Sequence, residues 1–132
     1  METVKIRCRD LVVGDWVANR NGSPMQIVAV DEDNAYACEG NEERPLIFGD
    51  DEGYEPQPIE LTPEILEKNG WKEDEYWHEY KDGGNIIQCC LPVMRGRING
   101  IVIENFQCEY VHQYQHLLRL CGLNELADNF KI

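Results

Sequence analysis

Short apolar stretches separated by glycine- and asparagine-bearing turns occupy most of the chain, and the spacing of these turns most constrains the fold. The turn signals NGSP, DEDN, KDGG and NG recur between these stretches. Such spacing is typical of antiparallel strands joined by hairpins. A parallel sheet needs a long crossover between strands, so the pattern favours an antiparallel one.

Residues 4–39 are predicted to form a β-meander. The stretch GDWV precedes the NGSP turn, and apolar residues 25–30 precede the acidic DEDN turn and the short stretch AYAC. Alternation along these strands gives each of them two usable faces, so we expect the meander to curl into an SH3-like small barrel. Residues 40–58 are rich in acids, proline and glycine. They are predicted to form a long acidic loop in which only PLIFG is able to pack.

The hydrophobic period changes at LTPEILEKNGW. Thr62 is a good N-cap, Pro63 suits the first helical position and Gly70 suits a helix end, so a short helix is predicted over residues 63–69. Strands are predicted at 75–81, 85–92 and roughly 101–108, with a hairpin turn at Asn99 and Gly100. Whether residues 96–98 form a further strand is left open.

These elements predict an α+β protein. Its order is an N-terminal SH3-like meander, a short helix, an antiparallel sheet and a C-terminal helix packed on that sheet. We expect two segments, 1–58 and 59–132, that together form one compact unit.

The charge of the chain limits its partners. Lys and Arg number 12 and Asp and Glu number 25, giving a formal charge of −13. This charge repels phosphate backbones and anionic membranes, so nucleic acid and membrane partners are disfavoured. It would suit a basic partner, although in most acidic proteins such a charge serves only solubility. The opening METVKIRCRD has no apolar signal-peptide core, and no apolar run is long enough for a membrane span, so a cytoplasmic location is expected.

The six cysteines are predicted to be reduced thiols that pack as small apolar side chains. They are Cys8, Cys38, Cys89, Cys90, Cys108 and Cys121. Their spacing matches no zinc motif, and the acidic runs lack the ligand spacing of a calcium loop. No metal or cofactor is therefore predicted.

Two histidines lie four residues apart in the C-terminal helix, in EYVHQYQHLLRL. On a helical wheel His112, His116 and Arg119 fall opposite the apolar side, so they are expected to face water. Paired histidines can bind zinc, but the protease motif needs a glutamate after the first histidine, and Gln113 occupies that position. The pair is therefore predicted to be structural, with no metal.

No catalytic residue is predicted. The serine-hydrolase elbow, the phosphate-binding loop and the dinucleotide fingerprint are absent. Two alternatives stay open: a small enzyme with a Cys–His or carboxylate site between the barrel and the second sheet, and nucleic-acid binding through the SH3-like part. The second would require several arginines to share one face: Arg7, Arg9, Arg20, Arg95 and Arg97.

Three segments carry a resemblance to a known family. DLVVGDWV, PIELTPEILEKNGW and YVHQYQHLLRLCGLNEL resemble small uncharacterised proteins of gut anaerobic bacteria and their phages or mobile elements. The family pattern includes the histidine at His112 but not the one at His116, and it has an apolar residue where this chain has Tyr114. The resemblance implies a bacterial or phage origin and no assigned activity.

The sequence therefore predicts a non-enzymatic protein-binding or accessory module of unknown oligomeric state. Its anionic surface or its exposed aromatic side chains would contact the partner. The candidate contacts are Tyr54, Trp77 and Tyr80.

Overall fold

The computed structural model of the protein describes residues 6–38, 46–51, 54–75, 77–90, 95–103 and 108–132. It confirms the α+β class, with two antiparallel sheets and several short helices. The chain divides into two compact units. Unit 1 combines Met1–Glu60 with Tyr110–Phe130, and unit 2 combines Leu61–Glu109 with Lys131–Ile132. The C-terminal helices thus belong with the N-terminal strands, whereas the sequence grouped residues 59–132 together.

Unit 1 contains a four-stranded sheet in the order β1-β2-β3-β4, as expected of a meander. Its strands are β1 (Trp16–Ala18), β2 (Pro24–Val30), β3 (Ala35–Cys38) and β4 (Leu46–Phe48). The register between β2 and β3 shifts between Ile27 and Ala29, so the pairing contains an irregularity there. Within the described residues the sheet does not close into a barrel. β4 corrects the prediction of a continuous loop over 40–58, because its apolar residues pair with β3.

The core of unit 1 follows the two-residue period of its strands. Met25 and Ile27 are buried whereas Val28 is exposed, and Ala35 and Ala37 are buried in the next strand. Because successive side chains of a strand point to opposite faces, one face of the sheet carries the core. This core cluster comprises Ile6, Cys8, Leu11, Val17, Met25, Ile27, Ala35, Ala37 and Phe48.

Unit 2 begins with α1 (Pro63–Lys68), close to the predicted helix. The Thr62 hydroxyl accepts a hydrogen bond from the Ile65 N–H at 3.2 Å, which satisfies one of the unpaired donors of the first turn. Gly70 follows the helix with a φ of +96°, and a side chain there would approach the Tyr80 ring to 3.0 Å. Both the backbone conformation and the space therefore require glycine.

A five-stranded antiparallel sheet fills the rest of unit 2, in the order β5-β6-β7-β8-β9. Asn99 and Gly100 have φ values of +53° and +80°, which confirms the predicted turn. Residues 95–98 form a strand, which answers the question left open for residues 96–98. A short charged strand at residues 72–74 was not predicted, because it has no apolar pattern. The strands are β5 (Lys72–Asp74), β6 (Trp77–Asp82), β7 (Asn85–Cys90), β8 (Arg95–Ile98) and β9 (Ile101–Val102). The predicted strand positions at residues 76, 91–92 and 104–107 lie outside the described residues.

Two helices complete unit 1: α2 (Val111–Leu120) and α3 (Asn124–Asp128). Gly122 lies between them with a φ of +81°, a backbone conformation that favours glycine at the end of a helix. α2 contacts both α3 and β1. No helix among the described residues is both long and apolar enough to span a membrane.

Candidate functional site

A fully buried carboxylate lies in unit 1 at Asp15, immediately before β1. Oδ1 accepts a hydrogen bond from Arg119 Nη1 at 2.6 Å, and Oδ2 lies 2.6 Å from His116 Nε2. Oδ2 also accepts the backbone N–H of Val12 at 2.9 Å. A buried carboxylate needs such partners, because burial without them costs several kcal/mol.

This arrangement corrects the expected orientation of the polar side of α2. His112 is only 7 % exposed, and the Arg119 side chain is 17 % exposed, so neither faces water as the helical wheel predicted. A helical wheel is drawn from the sequence of one helix alone. It could not show that Asp15, distant in sequence, supplies a carboxylate beneath the polar residues. α2 is therefore buried on more than its apolar side.

Gln115 is a second polar residue that the sequence analysis missed. Its side chain is fully buried, and its Nε2 donates to the carbonyl oxygens of Gly14 at 2.8 Å and Ala127 at 2.9 Å. Its Oε1 accepts the backbone N–H of Trp16 at 2.9 Å. The amide thus satisfies backbone groups of three elements at once. Nothing in the local sequence distinguishes it from a surface glutamine.

His112 is buried between aromatic rings. Its ring stacks on Tyr110 with centroids 6.2 Å apart and meets the His116 ring edge-on at 5.9 Å. The pKa of His112 is lowered to about 4, and desolvation is the largest cause. The charge of Asp15 acts in the opposite direction, whereas His116 lowers the pKa further. The ring is therefore neutral near pH 7. His116 Nε2 contacts Asp15, so the second histidine of the pair also makes an internal contact.

Gly14 is required where this cluster meets the backbone. Its φ is +98°, and a Cβ would lie 3.0 Å from Arg119 Nη2 and 3.1 Å from Asp128 Oδ1. Gly22 has a similar φ of +84° but open space around it. We expect Gly14→Ala to lower the free energy of unfolding by about 2–3 kcal/mol, and Gly22→Ala by about 1 kcal/mol. Urea denaturation of both variants measures the difference, and equal losses would show that crowding of the ion pair contributes nothing.

A groove lined by both apolar and polar side chains lies beside β4, at the edge of the unit 1 sheet. Ile47 is 55 % exposed and Tyr54 is 67 % exposed, and with Leu46 they line a groove of about 290 Å³. Arg20 and Glu55 also line it. Within the described residues, the Oε2 atom of Glu55 is buried and accepts no hydrogen bond. The groove therefore exposes apolar side chains, whereas this unpaired oxygen of Glu55 is closed off from solvent.

The other predicted aromatic contacts are engaged inside unit 2. Trp77 is half-buried and has the Arg97 guanidinium 4.0 Å from its ring centroid. Tyr80 is half-buried and packs on Trp71 with centroids 4.6 Å apart. Of the three candidate contacts, Tyr54 is the one with a largely exposed ring.

Arg7 and Arg9 lie among acidic side chains in unit 1. Arg7 and Arg9 line an open cleft of about 580 Å³. The same cleft is lined by the carboxylates of Asp31, Glu32, Asp33 and Asp50. Nucleic-acid binding requires an excess of positive charge along one face, and these acids offset it here.

The cysteines bear on the enzymatic alternative. All six are free. Burial raises the pKa of both Cys89 and Cys108 to about 12, and burial together with nearby Asp50 raises that of Cys8 to about 11. Because the thiolate is the nucleophile, these three side chains are unreactive near neutral pH.

Comparisons with known proteins give no further information on the site. Neither protein-family models, nor curated proteins, nor solved structures yield a match to this chain. The resemblance to small proteins of gut anaerobes therefore stays a prediction.

Proposed function

We propose that the protein is a non-enzymatic binding module and that the groove beside β4 accepts an extended, basic segment of a partner protein. The observation that carries this proposal is the exposed apolar lining of the groove. Leu46, Ile47 and Tyr54 expose 42 %, 55 % and 67 % of their surface around one sheet edge. Contiguous exposed apolar side chains with a polar rim are typical of interaction sites.

The position of β4 supports strand addition as the binding mode. Among the described strands, β4 pairs only with β3. An edge strand presents backbone donors and acceptors to which an extended peptide can bond, while alternate side chains fill neighbouring pockets. A peptide lying along β4 would place every second side chain toward the groove.

Charge supports a basic partner. The formal charge of the chain is −13, and Asp51 follows β4 closely in sequence and is exposed. Glu55 adds a buried carboxylate oxygen without a hydrogen-bond donor among the described residues. A lysine or arginine of the partner would supply that donor, and a charged pair gives orientation as well as attraction.

The finer fold proposal is an SH3-like arrangement of unit 1. Gln57 forms an isolated antiparallel bridge with Ala18, next to β1. This bridge adds a fifth extended segment on the far side of β1 from β2, and five sequential extended segments are what a small SH3-like sheet needs. A proposed phage or bacterial origin rests only on the sequence resemblance.

A peptide-display selection tests the binding proposal. Selection of random 12-residue peptides against the full chain is expected to enrich segments in which Lys or Arg alternates with apolar residues. Ile47→Asp should weaken an enriched peptide at least about tenfold, since it puts a charge into the apolar contact. The matched control is Ile101→Asp, because Ile101 is 72 % exposed on a strand of the other sheet.

A second variant tests how much charge contributes to peptide binding. Glu55→Gln is expected to weaken binding and to reduce its dependence on salt, because one carboxylate is removed from the contact. Enrichment of acidic peptides, or equal losses in the Ile47 and Ile101 variants, would contradict the proposal.

A further inference from the structure

Three potential metal ligands meet in unit 2, within a short segment of the chain. Glu67 lies in the last turn of α1, and the backbone then reverses at Gly70 with a φ of +96°. β5 carries Glu73, and a second reversal at Glu75, with a φ of +53°, leads into β6 and His78. Two tight turns thus bring residues 67, 73 and 78 together without any long-range connection.

The side chains of this cluster converge. Glu73 and His78 are directly opposite each other in the pairing of β5 with β6, so their side chains share one face of the sheet. His78 Nε2 lies 3.5 Å from Glu67 Oε1. One ligand atom from each of the three residues lies within 4.8 Å of the others.

The imidazole of His78 gives an independent indication of a ligand. The residue is only 8 % exposed. Its Nε2 is buried and makes no hydrogen bond with any described residue, although Glu67 Oε1 lies 3.5 Å away. A buried ring nitrogen ordinarily has a hydrogen-bond partner or a metal ion.

We propose that Glu67, Glu73 and His78 bind one divalent transition-metal ion, and that zinc suits this site best. Mg²⁺ and Ca²⁺ prefer shells made of oxygen alone, whereas a mixed imidazole and carboxylate set suits zinc. Three protein ligands and a solvent molecule complete its four-coordinate shell.

The required adjustment is small. Zinc with ligands at about 2.0–2.2 Å holds them roughly 3.5 Å from one another, so the widest separation must close by about 1 Å. The Glu67 side chain is 50 % exposed and can change rotamer without disturbing the core. His78 is the fixed ligand, and the two exposed glutamates close on the ion.

Lys72, a positive charge in the same pair of strands, points away from the cluster of Glu67, Glu73 and His78. Lys72 pairs with Glu79 across the same two strands, one position away from the pair formed by Glu73 and His78. Because neighbouring residues of a strand point to opposite faces, Lys72 lies on the opposite face from the cluster. The proposed site therefore keeps its negative charge. This proposal departs from the sequence prediction of no metal, which weighed the cysteines, the acidic runs and the histidines of α2 but not this set of three residues.

Calorimetric titration of tag-free, chelator-treated protein with Zn²⁺ tests the site. We expect one ion per chain, with Glu67→Gln and Glu73→Gln each weakening binding at least about tenfold, and His78→Asn at least about a hundredfold. Glu64→Gln is the matched control, since Glu64 is an exposed glutamate of the same helix outside the cluster. Substitutions at the two exposed glutamates keep the test valid even if the buried histidine variant fails to fold.

Two further readouts identify the ligands. Co²⁺ is expected to give the absorption of a four- or five-coordinate ion, and Zn²⁺ is expected to shift the His78 ring nitrogen resonances in NMR spectra. The proposal is overturned if the chain binds no ion. It is also overturned if binding survives in both cluster glutamate variants but is lost in His116→Gln, which would place the ion at the α2 histidines.

Discussion

Asp15→Asn is expected to lower the free energy of unfolding by about 3–5 kcal/mol, the largest effect of any single substitution considered. The asparagine has nearly the same shape, so packing changes little. It removes a fully buried negative charge and leaves Arg119 and His116 facing a neutral amide. The net value of an intact buried ion pair is often small, whereas removal of one partner leaves the other charge without compensation.

Asp128 provides the matched control for this experiment. It contacts the same arginine, with its Oδ1 3.2 Å from Arg119 Nη2, but its side chain is 56 % exposed. We therefore expect Asp128→Asn to cost less than about 1 kcal/mol, because solvent screens an exposed pair. Urea denaturation of both variants, together with a double-mutant cycle against Arg119→Met, measures the coupling of each carboxylate to the arginine. Equal losses at the two positions would show that the burial of Asp15 does not matter.

The sequence predicted those elements whose signals are local. The ends of α1 followed from Thr62, Pro63 and Gly70, each of which acts through its own backbone geometry. The hairpin at Asn99 and Gly100 followed in the same way. In contrast, β5 consists of Lys72–Asp74 and forms because β6 pairs with it, and no local pattern records such pairing.

The candidate site was predictable only in part. The exposure of Tyr54 agreed with its selection as a contact residue, since it lies in an acidic segment with few apolar neighbours. Ile47 was expected to pack as part of PLIFG, within a segment whose composition predicted a loop, yet its side chain is 55 % exposed. Whether an apolar residue of a short strand faces the core or the solvent depends on register, and only the pairing of β4 with β3 fixes that register.

Polar residues were the hardest to place. The helical wheel placed His112, His116 and Arg119 toward the solvent, yet Asp15 contacts His116 and Arg119 from below, and Gln115 of the same helix is fully buried. Asp15 and Gln115 are stabilised by partners about a hundred residues away in sequence, and their burial is favourable only because those partners are present. The residues adjacent in sequence therefore do not reveal these distant partners.

Lowering the pH from 6.5 to 4 is expected to cost the wild-type protein on the order of 3 kcal/mol of stability through His112 alone. The ordinary pKa of 6.5 applies in the unfolded chain, whereas desolvation lowers the folded pKa to about 4. Between these values the unfolded state binds the extra proton, so stability is fully present above pH 6.5 and is lost as the pH falls toward 4. Asp15 and His116 face the ring and are already included in this shift, the former raising and the latter lowering the pKa.

His112→Phe tests this origin, because phenylalanine is close in size and can keep the ring contacts with Tyr110 and His116 but cannot bind a proton. The His112 Nδ1 has no hydrogen-bond partner among the described residues, so the variant gives up no bond from that atom. We expect it to match the wild type near pH 7 and to exceed it by about 2–3 kcal/mol at pH 4.5, as measured by urea denaturation across this range. The comparison should stop above pH 4, because most carboxylates begin to titrate there. If the variant loses stability with the same slope as the wild type, the acid sensitivity of the fold originates in another group and His112 is not buried as a neutral ring.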